Sequence, residues 1–471
     1  MEFAELIKTT KVDGVVLSGP GLQPIRGTLA VTSHHLLFSS QTEGSGEHQM
    51  TELWLLIRNV DAIEKRLANT SGTIALRCKD LKILQLEIPG MEECLNIASS
   101  IEALSSVESV MMMYPFFYRP QNTKLGTGWL TNITEQYYKQ IASDVMLRSS
   151  QPLVGPNRKR CHEDELLLSA VLAGGEPGFV LDTRSLQAAK QARVMGGGLE
   201  HRSCYSGWKR LHRALERGRP LQESFIKLVE ACNDPSPHMD RWLSRLEASK
   251  WLSHVKEALS TACLAAQCLE REEACVLVHG AEGKDATLLV TALAQVILDP
   301  DCRTLAGFQG LLEREWIQAG HPFHLRCARS AYSHTRLKQE APTFVLFLDC
   351  VWQLGRQFPL SLAFNEHLLL ALFEHCYASP YGTFLCNNEK ERKFCEVREK
   401  THSLWPWINR VEKYLNPLYT YNPLVIWPSV EPQSVVLWQG LFLRWVRSSH
   451  YFDEAWAEIQ QIARNSQTYP Q

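Results

Sequence analysis

The stretch Ala274-Cys275-Val276-Leu277-Val278-His279-Gly280-Ala281-Glu282-Gly283-Lys284-Asp285-Ala286-Thr287 decides how the chain is read. An apolar run ends at His279, two glycines follow at 280 and 283, and a second apolar run begins at Leu288. That order is a buried strand, a glycine-bearing loop and the start of a helix. Such a loop aims several backbone N–H groups and the positive end of a helix dipole at one point, which makes it a ready anion site.

Two enzyme classes use this geometry. A nucleotide-binding P-loop would need its first glycine at 278 and a Ser or Thr at 285, where this chain has Val278 and Asp285, so Gly283-Lys284 is a poor match. A cysteine-dependent phosphatase opens the loop with a thiolate nucleophile and closes it six positions later with an arginine that grips two phosphate oxygens. Here those positions hold Gly280 and Ala286. Without sulfur no covalent intermediate forms. Without the guanidinium a charge-assisted contact is lost, at roughly 1.5–3 kcal/mol per hydrogen bond. The loop keeps its amides and loses its chemistry. The same Cys-to-Arg spacing recurs at Cys204/Arg210, Cys350/Arg356 and Cys386/Arg392. None follows an apolar strand and opens a glycine loop, so none is expected to be a nucleophile. Cys275 is expected in the core.

Outward from the loop, the chain alternates apolar strands with helices. Phe179–Asp182 reads as a second buried strand. Helical spacing marks 163–173, 220–233, one long helix over 239–267, 287–298, 343–358 and 367–377. Strands interleaved with helices make an α/β core. The first 90 residues differ. Segments 12–17, 27–31, 35–39, 51–56, 73–77 and 82–87 are short, mostly alternating and punctuated by Gly, Ser and Asn, and a helix over 92–104 closes them. That is a small antiparallel β-domain.

The totals fit a folded, reduced protein. The chain has 471 residues, 45% of them apolar, with 13 Trp, 17 Phe and a net charge of −2. No global field draws it to nucleic acid or an anionic membrane. Its 14 Cys contain no C-x-x-C pair, and several sit in apolar runs, so neither a metal nor a cofactor is expected. No signal peptide and no run of about 18 apolar residues is visible, so a cytoplasmic protein is the expectation.

Together these residues resemble the myotubularin family. The resemblance is carried by Val276–Thr287 with Leu293-Ala294-Gln295, Arg303-Thr304, Gly307-Phe308 and Glu313-Arg314-Glu315-Trp316. It continues through Asp182-Thr183-Arg184, Gly196-Gly197-Gly198, Phe347-Leu348-Asp349-Cys350-Val351-Trp352, Phe364-Asn365-Glu366, Gly382-Thr383-Phe384-Leu385 and Leu443-Arg444-Trp445. It implies an α+β chain: a PH-like GRAM β-domain over 1–107, a linker over 108–143, a cysteine-phosphatase-like α/β domain over 144–447 and a helical tail over 448–471. Active members of the family carry Cys at the position of Gly280, a general acid at Asp285 and Arg at the position of Ala286. Of the three, this chain keeps Asp285. The implied role is that of a pseudophosphatase which partners active relatives and raises their activity toward 3-phosphorylated inositol lipids, on endomembranes. A non-hydrolysing phosphoinositide binder and a truncated, non-functional form are the alternatives.

Two departures from the family pattern carry expectations. Glu135–Asp144 bridges a place where the family has a longer block, so part of the catalytic sheet is expected to be missing. The amphipathic segment Asp453–Ala463 is not followed by a heptad coiled coil, which puts coiled-coil pairing in doubt. Plainer roles are expected elsewhere. His279 is read as a loop histidine holding backbone carbonyls, and Lys284 as a solvated lysine. Arg158-Lys159-Arg160 is read as a solvated basic run, and most of Trp405, Trp407, Trp427, Trp438 and Trp445 as core.

Overall fold

The structure is a computed structural model that describes residues 3–20, 22–44, 47–120, 128–130, 145–157, 159–172, 175, 177–234, 238–333 and 339–446. Most of the 108–143 linker, the bridge over 135–144, Arg158 and the tail from 447 lie outside the described residues.

The alternating N-terminal segments form one antiparallel sheet. Its strands are β1 (Lys11–Gly19), β2 (Leu22–Val31), β3 (His35–Gly44), β4 (Glu47–Leu56), β5 (Val60–Leu67), β6 (Ser71–Cys78) and β7 (Ile83–Pro89), in the order β4-β3-β2-β1-β7-β6-β5. Period-two burial along β6 and β7 turns Ile74, Leu76, Leu84, Leu86 and Ile88 to one side. There they meet Cys94, Ile97, Ala98 and Ile101 from the helix Met91–Ser105. Each buried isoleucine contributes roughly 2–3 kcal/mol. The helix can come this close because β6 carries Gly72, where a Cβ would lie 2.4 Å from Cys94 Sγ. Strand β5 was not expected. It is an edge strand whose second half, with Glu64, Lys65 and Arg66, is exposed and has no apolar period.

The second body is built on a parallel sheet of four strands among the described residues: β8 (Met146–Ser149), β9 (Gly178–Asp182), β10 (Trp208–His212) and β11 (Cys275–His279), in the order β10-β9-β11-β8. The register sets His279 opposite Asp182 on one side and Ser149 on the other. Val276 and Val278 face Val290 and Ala294 of the helix Ala286–Leu298, and Leu277 and Cys275 face Leu168 and Trp208. Both faces are covered, which is why β11 is apolar from Cys275 to Val278. β8 and β10 escaped the sequence reading because they are short edge strands that carry Arg148, Lys209 and Arg210.

The helix expected over 239–267 is two helices, Met239–Ser249 and Trp251–Glu270. Lys250 between them is left-handed, with φ 60°. Ser249 holds the break by donating to Leu246 O at 2.6 Å, and its own carbonyl accepts from Ser224 Oγ at 2.6 Å. The break lets Trp251 bury completely and donate to Asp349 Oδ2 at 2.8 Å, while most of the first helix stays at the surface.

The two bodies share a buried contact. Asp61, in β5, accepts from Ser330 N at 3.0 Å and Tyr332 N at 2.9 Å. Tyr332 Oη donates to Leu81 O at 3.0 Å, and Trp445 Nε1 donates to Asp80 O at 2.9 Å. Lys79 is fully buried there, and burial holds its ammonium pKa well below the ordinary lysine value.

Candidate functional site

The loop leaves β11 at His279 and enters the helix at Ala286. His279 is 1% exposed. Its Nε2 lies 2.8 Å from Glu200 Oε1 and its Nδ1 3.8 Å from Asp182 Oδ1. The ring therefore meets two carboxylates rather than the expected backbone carbonyls, and it ends the strand instead of sitting in the loop. Burial alone would raise the pKa of Glu200. His279, the Glu200 backbone and Arg210 outweigh it and hold the carboxyl at about 2. Asp182 in turn takes two hydrogen bonds from Arg184, at 2.9 and 2.8 Å. Arg184 reaches on to Gly197 O at 2.7 Å and Gly198 O at 3.0 Å. A strand-end histidine, two acids and two arginines thus tie the loop base to the glycine-rich turn at 196–198.

Gly280 opens the loop with no room to spare. A Cβ there would lie 2.6 Å from Thr183 Oγ1, which donates to His279 O at 3.0 Å. Gly283 has φ 70°, and a Cβ there would lie 2.8 Å from the backbone of Ser149 and Ser150. The turn can close against the end of β8 only with glycine. Ala281 is half-buried, while Glu282 and Lys284 are exposed, the plain reading of Lys284. The Lys284 carbonyl lies 2.8 Å from His321 Nδ1.

Asp285 is buried and occupied. Arg326 donates to it twice, at 2.9 and 2.7 Å, and His321 Nδ1 lies 3.5 Å away. Burial would raise the pKa of this carboxyl, but Arg326 and His321 override it and keep the pKa below the usual aspartate value. A carboxylate clamped in this way is held ionised, the wrong state for a proton donor. Ala286 and Thr287 begin the helix, both buried. Thr287 Oγ1 has no hydrogen-bond partner among the described residues. Nor does any N–H from 281 to 288 have a backbone acceptor among them. The hollow within the loop measures ≈ 20 Å³, room for about one water.

The three distant Cys–Arg pairs do not replace the loop. Arg210 is turned to Glu200 O at 2.7 Å, away from any such role with Cys204. Cys350 is buried inside the helix Thr343–Gln357, where burial pushes its thiol far up. Cys386 is buried and pushed up to about 12, while Arg392 donates to Ile317 O at 3.0 Å. Cys275 is core. Lys159 and Arg160 are exposed, and Arg160 Nε is tied to Glu165 at 2.9 Å rather than free for a membrane. Trp405 and Trp438 are buried, Trp427 and Trp445 pack partly against the core, and Trp407 is 38% exposed. The sequence reading missed Glu200, His321 and Arg326, which lie 36 or more positions from the residues they meet and carry no local signal.

Comparison with known proteins now adds to this geometry. The family model described as myotubularin-like phosphatase domain matches residues 133–393, and that described as MTMR6-9, GRAM domain, matches residues 12–105. A Bos taurus protein named myotubularin-related protein 9-like is 56% identical over 532 aligned positions, covering 99% of this chain and 97% of its own length. The chain belongs to the myotubularin family. Homo sapiens myotubularin-related protein 9 is 51% identical, covering 98% of this chain and 94% of its own. A Mus musculus relative named phosphatidylinositol-3,5-bisphosphate 3-phosphatase MTMR6 is 31% identical, covering 95% and 82%. An alignment of 532 positions is longer than the 471 residues available, so the bovine relative carries residues that this myotubularin lacks. The fold is the α+β pair expected: a GRAM domain followed by a myotubularin phosphatase domain. No helix of the described residues is long and apolar enough to cross a membrane.

Proposed function

We propose that this myotubularin is catalytically silent and serves as a regulatory partner of active myotubularin-related 3-phosphatases, binding them and raising their activity toward 3-phosphorylated inositol lipids. The observation that carries the reading is the opening of the loop: Gly280 offers no nucleophile, and Thr183 Oγ1 lies 2.6 Å from where a Cβ would be. Ala286 at the closing position is buried and has no charge. The clamp on Asp285 supports it further, since a general acid has been turned into a structural ion pair. In this reading the signature loop, His279, Gly280, Ala281, Glu282, Gly283, Lys284, Asp285, Ala286 and Thr287, is a degenerate catalytic site that now shapes a surface. The limits 1–107 for the GRAM domain and 144–447 for the phosphatase-like domain belong to the same proposal, as does peripheral attachment to endomembranes.

The test mixes the purified chain with an active 3-phosphatase of the family and reads both co-elution and phosphate release from phosphatidylinositol 3-phosphate vesicles. Co-elution with raised release is expected, and the chain alone releases none. Turnover by the chain alone, or failure to co-elute with any active relative, overturns the reading. A second reading has one observation in its favour. The unpaired amides from 281 to 288 and the unpartnered Thr287 hydroxyl are donors that an anion could still use. This reading stands second because the closing position, Ala286, has no guanidinium to grip a phosphate.

A further inference from the structure

The contact between the two bodies holds more positive charge than it answers. Lys79 is fully buried, and its Nζ has no hydrogen-bond partner among the described residues. The charges that act on it most strongly are those of Arg58, Asp61 and Arg329. Arg58 donates through Nη1 to Val107 O at 3.1 Å and to Ser105 O at 3.4 Å. Arg329 donates to Asp61 O at 3.1 Å. Both guanidinium groups therefore spend their hydrogen bonds on neutral carbonyls, and among the described residues none of the three cations has a carboxylate within ion-pair distance. The carboxylate of Asp61 is taken up by Ser330 N and Tyr332 N. Glu108, the other acid that acts on Arg58, is exposed. Three cations thus share one buried acid, which is costly unless a further anion joins them.

Beside this cluster lies a cavity of ≈ 70 Å³, room for about five water molecules. Ser33 and Arg58 line it from the GRAM domain, and His324, Cys327 and His375 from the phosphatase-like domain. No aspartate or glutamate is among its lining residues, and Arg58 is the one permanent charge in its wall. Burial holds His375 at about 4 and lowers His324 as well, so His375 adds no charge at pH 7. Ser33 Oγ is buried and has no hydrogen-bond partner among the described residues. An apolar occupant would leave Arg58 and Ser33 unanswered. An anion would meet a guanidinium and a hydroxyl directly, in the field of two more cations and with no acid in the wall to repel it.

We propose that this cavity is a site for a small tetrahedral oxyanion of the phosphate class, held by Arg58 and Ser33 and by the field of Lys79 and Arg329, so that the ion joins the two domains. Guanidinium groups suit such an ion because their N–H fork matches two of its oxygens. None of the residues lining the cavity belongs to the loop over 279–287, and the proposal is independent of the reading placed on that loop.

The test uses the full chain in phosphate-free buffer at constant ionic strength, with inorganic phosphate added to about 5 mM. Three variants accompany it: Lys79→Met, Arg58→Gln and, as a charge-matched control, Lys227→Met, an exposed lysine on the helix Arg219–Cys232. The wild-type thermal midpoint is expected to rise by about 2 °C. Lys79→Met and Arg58→Gln should lose that rise and bind phosphate about ten-fold more weakly by titration calorimetry, while Lys227→Met keeps both. Lys79→Met replaces a buried ammonium by an apolar chain of similar length, so it decides the matter even where Arg58→Gln fails to fold. A wild type that does not respond to phosphate overturns the proposal. So does a full response in Lys79→Met, which would place the ion elsewhere. Vesicles carrying phosphatidic acid offer the same monoester chemistry on a lipid. Stabilisation by the vesicles, with none by free phosphate, would equally overturn it.

Discussion

Removing the charge of Glu200 should weaken the base of the loop by a calculable amount. Glu200 sits at about 2 in the folded protein, against an ordinary 4.5, because His279 and Arg210 overcome its burial. A carboxyl depressed by that much contributes roughly 3 kcal/mol at pH 7. The sign follows from the depression. The contribution is fully present above about 4.5, and it is lost as pH falls toward about 2, with less than half left at about pH 3. The substitution Glu200→Gln keeps size and removes the charge. Urea denaturation of wild type and Glu200→Gln at pH 7 should differ by roughly 3 kcal/mol in unfolding free energy. The difference should shrink at pH 3.5. The variant should also expose His279, so a histidine-specific acylating reagent should modify that ring in the variant and not in the wild type. Equal midpoints at pH 7, or a gap of the same size at both pH values, would refute the account of the network.

Other consequences can be checked by the same means. Restoring the nucleophile and the arginine together, Gly280→Cys with Ala286→Arg, should cost about 1–2 kcal/mol and yield no turnover, because the new Cβ meets Thr183 Oγ1 at 2.6 Å; adding Thr183→Ala should recover part of that stability, and a double variant as stable as wild type would contradict this. Asp349 is pushed up to about 6 by burial, against hydrogen bonds from Trp251 and Gln353. A raised carboxyl is favoured in its protonated form, so roughly 3 kcal/mol of stability should be lost as pH rises from about 4 to above 6; Asp349→Asn should lack that limb, and parallel curves would count against it. Lys79, buried at the domain contact, has a pKa lowered by burial. Stability should therefore rise with pH from its lowered folded pKa up to the ordinary lysine value, and be flat below that window. Lys79→Met should raise the urea midpoint at pH 7, and a lower midpoint would show that the ammonium is paired after all.

The sequence carried the parts of this protein that depend on local pattern. The run from Ala274 to Thr287 announced strand, loop and helix, because a fully buried parallel strand must be apolar throughout and a tight anion loop must carry glycine. The absence of sulfur at 280 and of a guanidinium at 286 is plain in the letters themselves. Alternation gave β1 to β4, β6 and β7, and the 3.6-residue period gave the helices of ten or more residues in the described residues, with 239–267 read as one, while the shorter helices went unread. Three of the edge strands were lost. β5, β8 and β10 are each flanked on one side only and carry charged residues, exposed at 64–66 and paired across to Glu315 and Glu200 at Arg148 and Arg210, that erase the apolar period.

What only the folded chain decided is which distant residues occupy the loop. Glu200 and Asp182 reach His279 because parallel pairing stacks the ends of β9 and β11. Arg326 and His321 reach Asp285 from a segment that no periodicity connects to it. The break at Lys250 was equally invisible, since it follows from the need of Trp251 to reach the buried carboxyl of Asp349. Residue type and spacing fix what a segment can become. The neighbours that set its charge state, and close or open a site around it, are chosen by packing across the sheet, where sequence separation no longer measures distance.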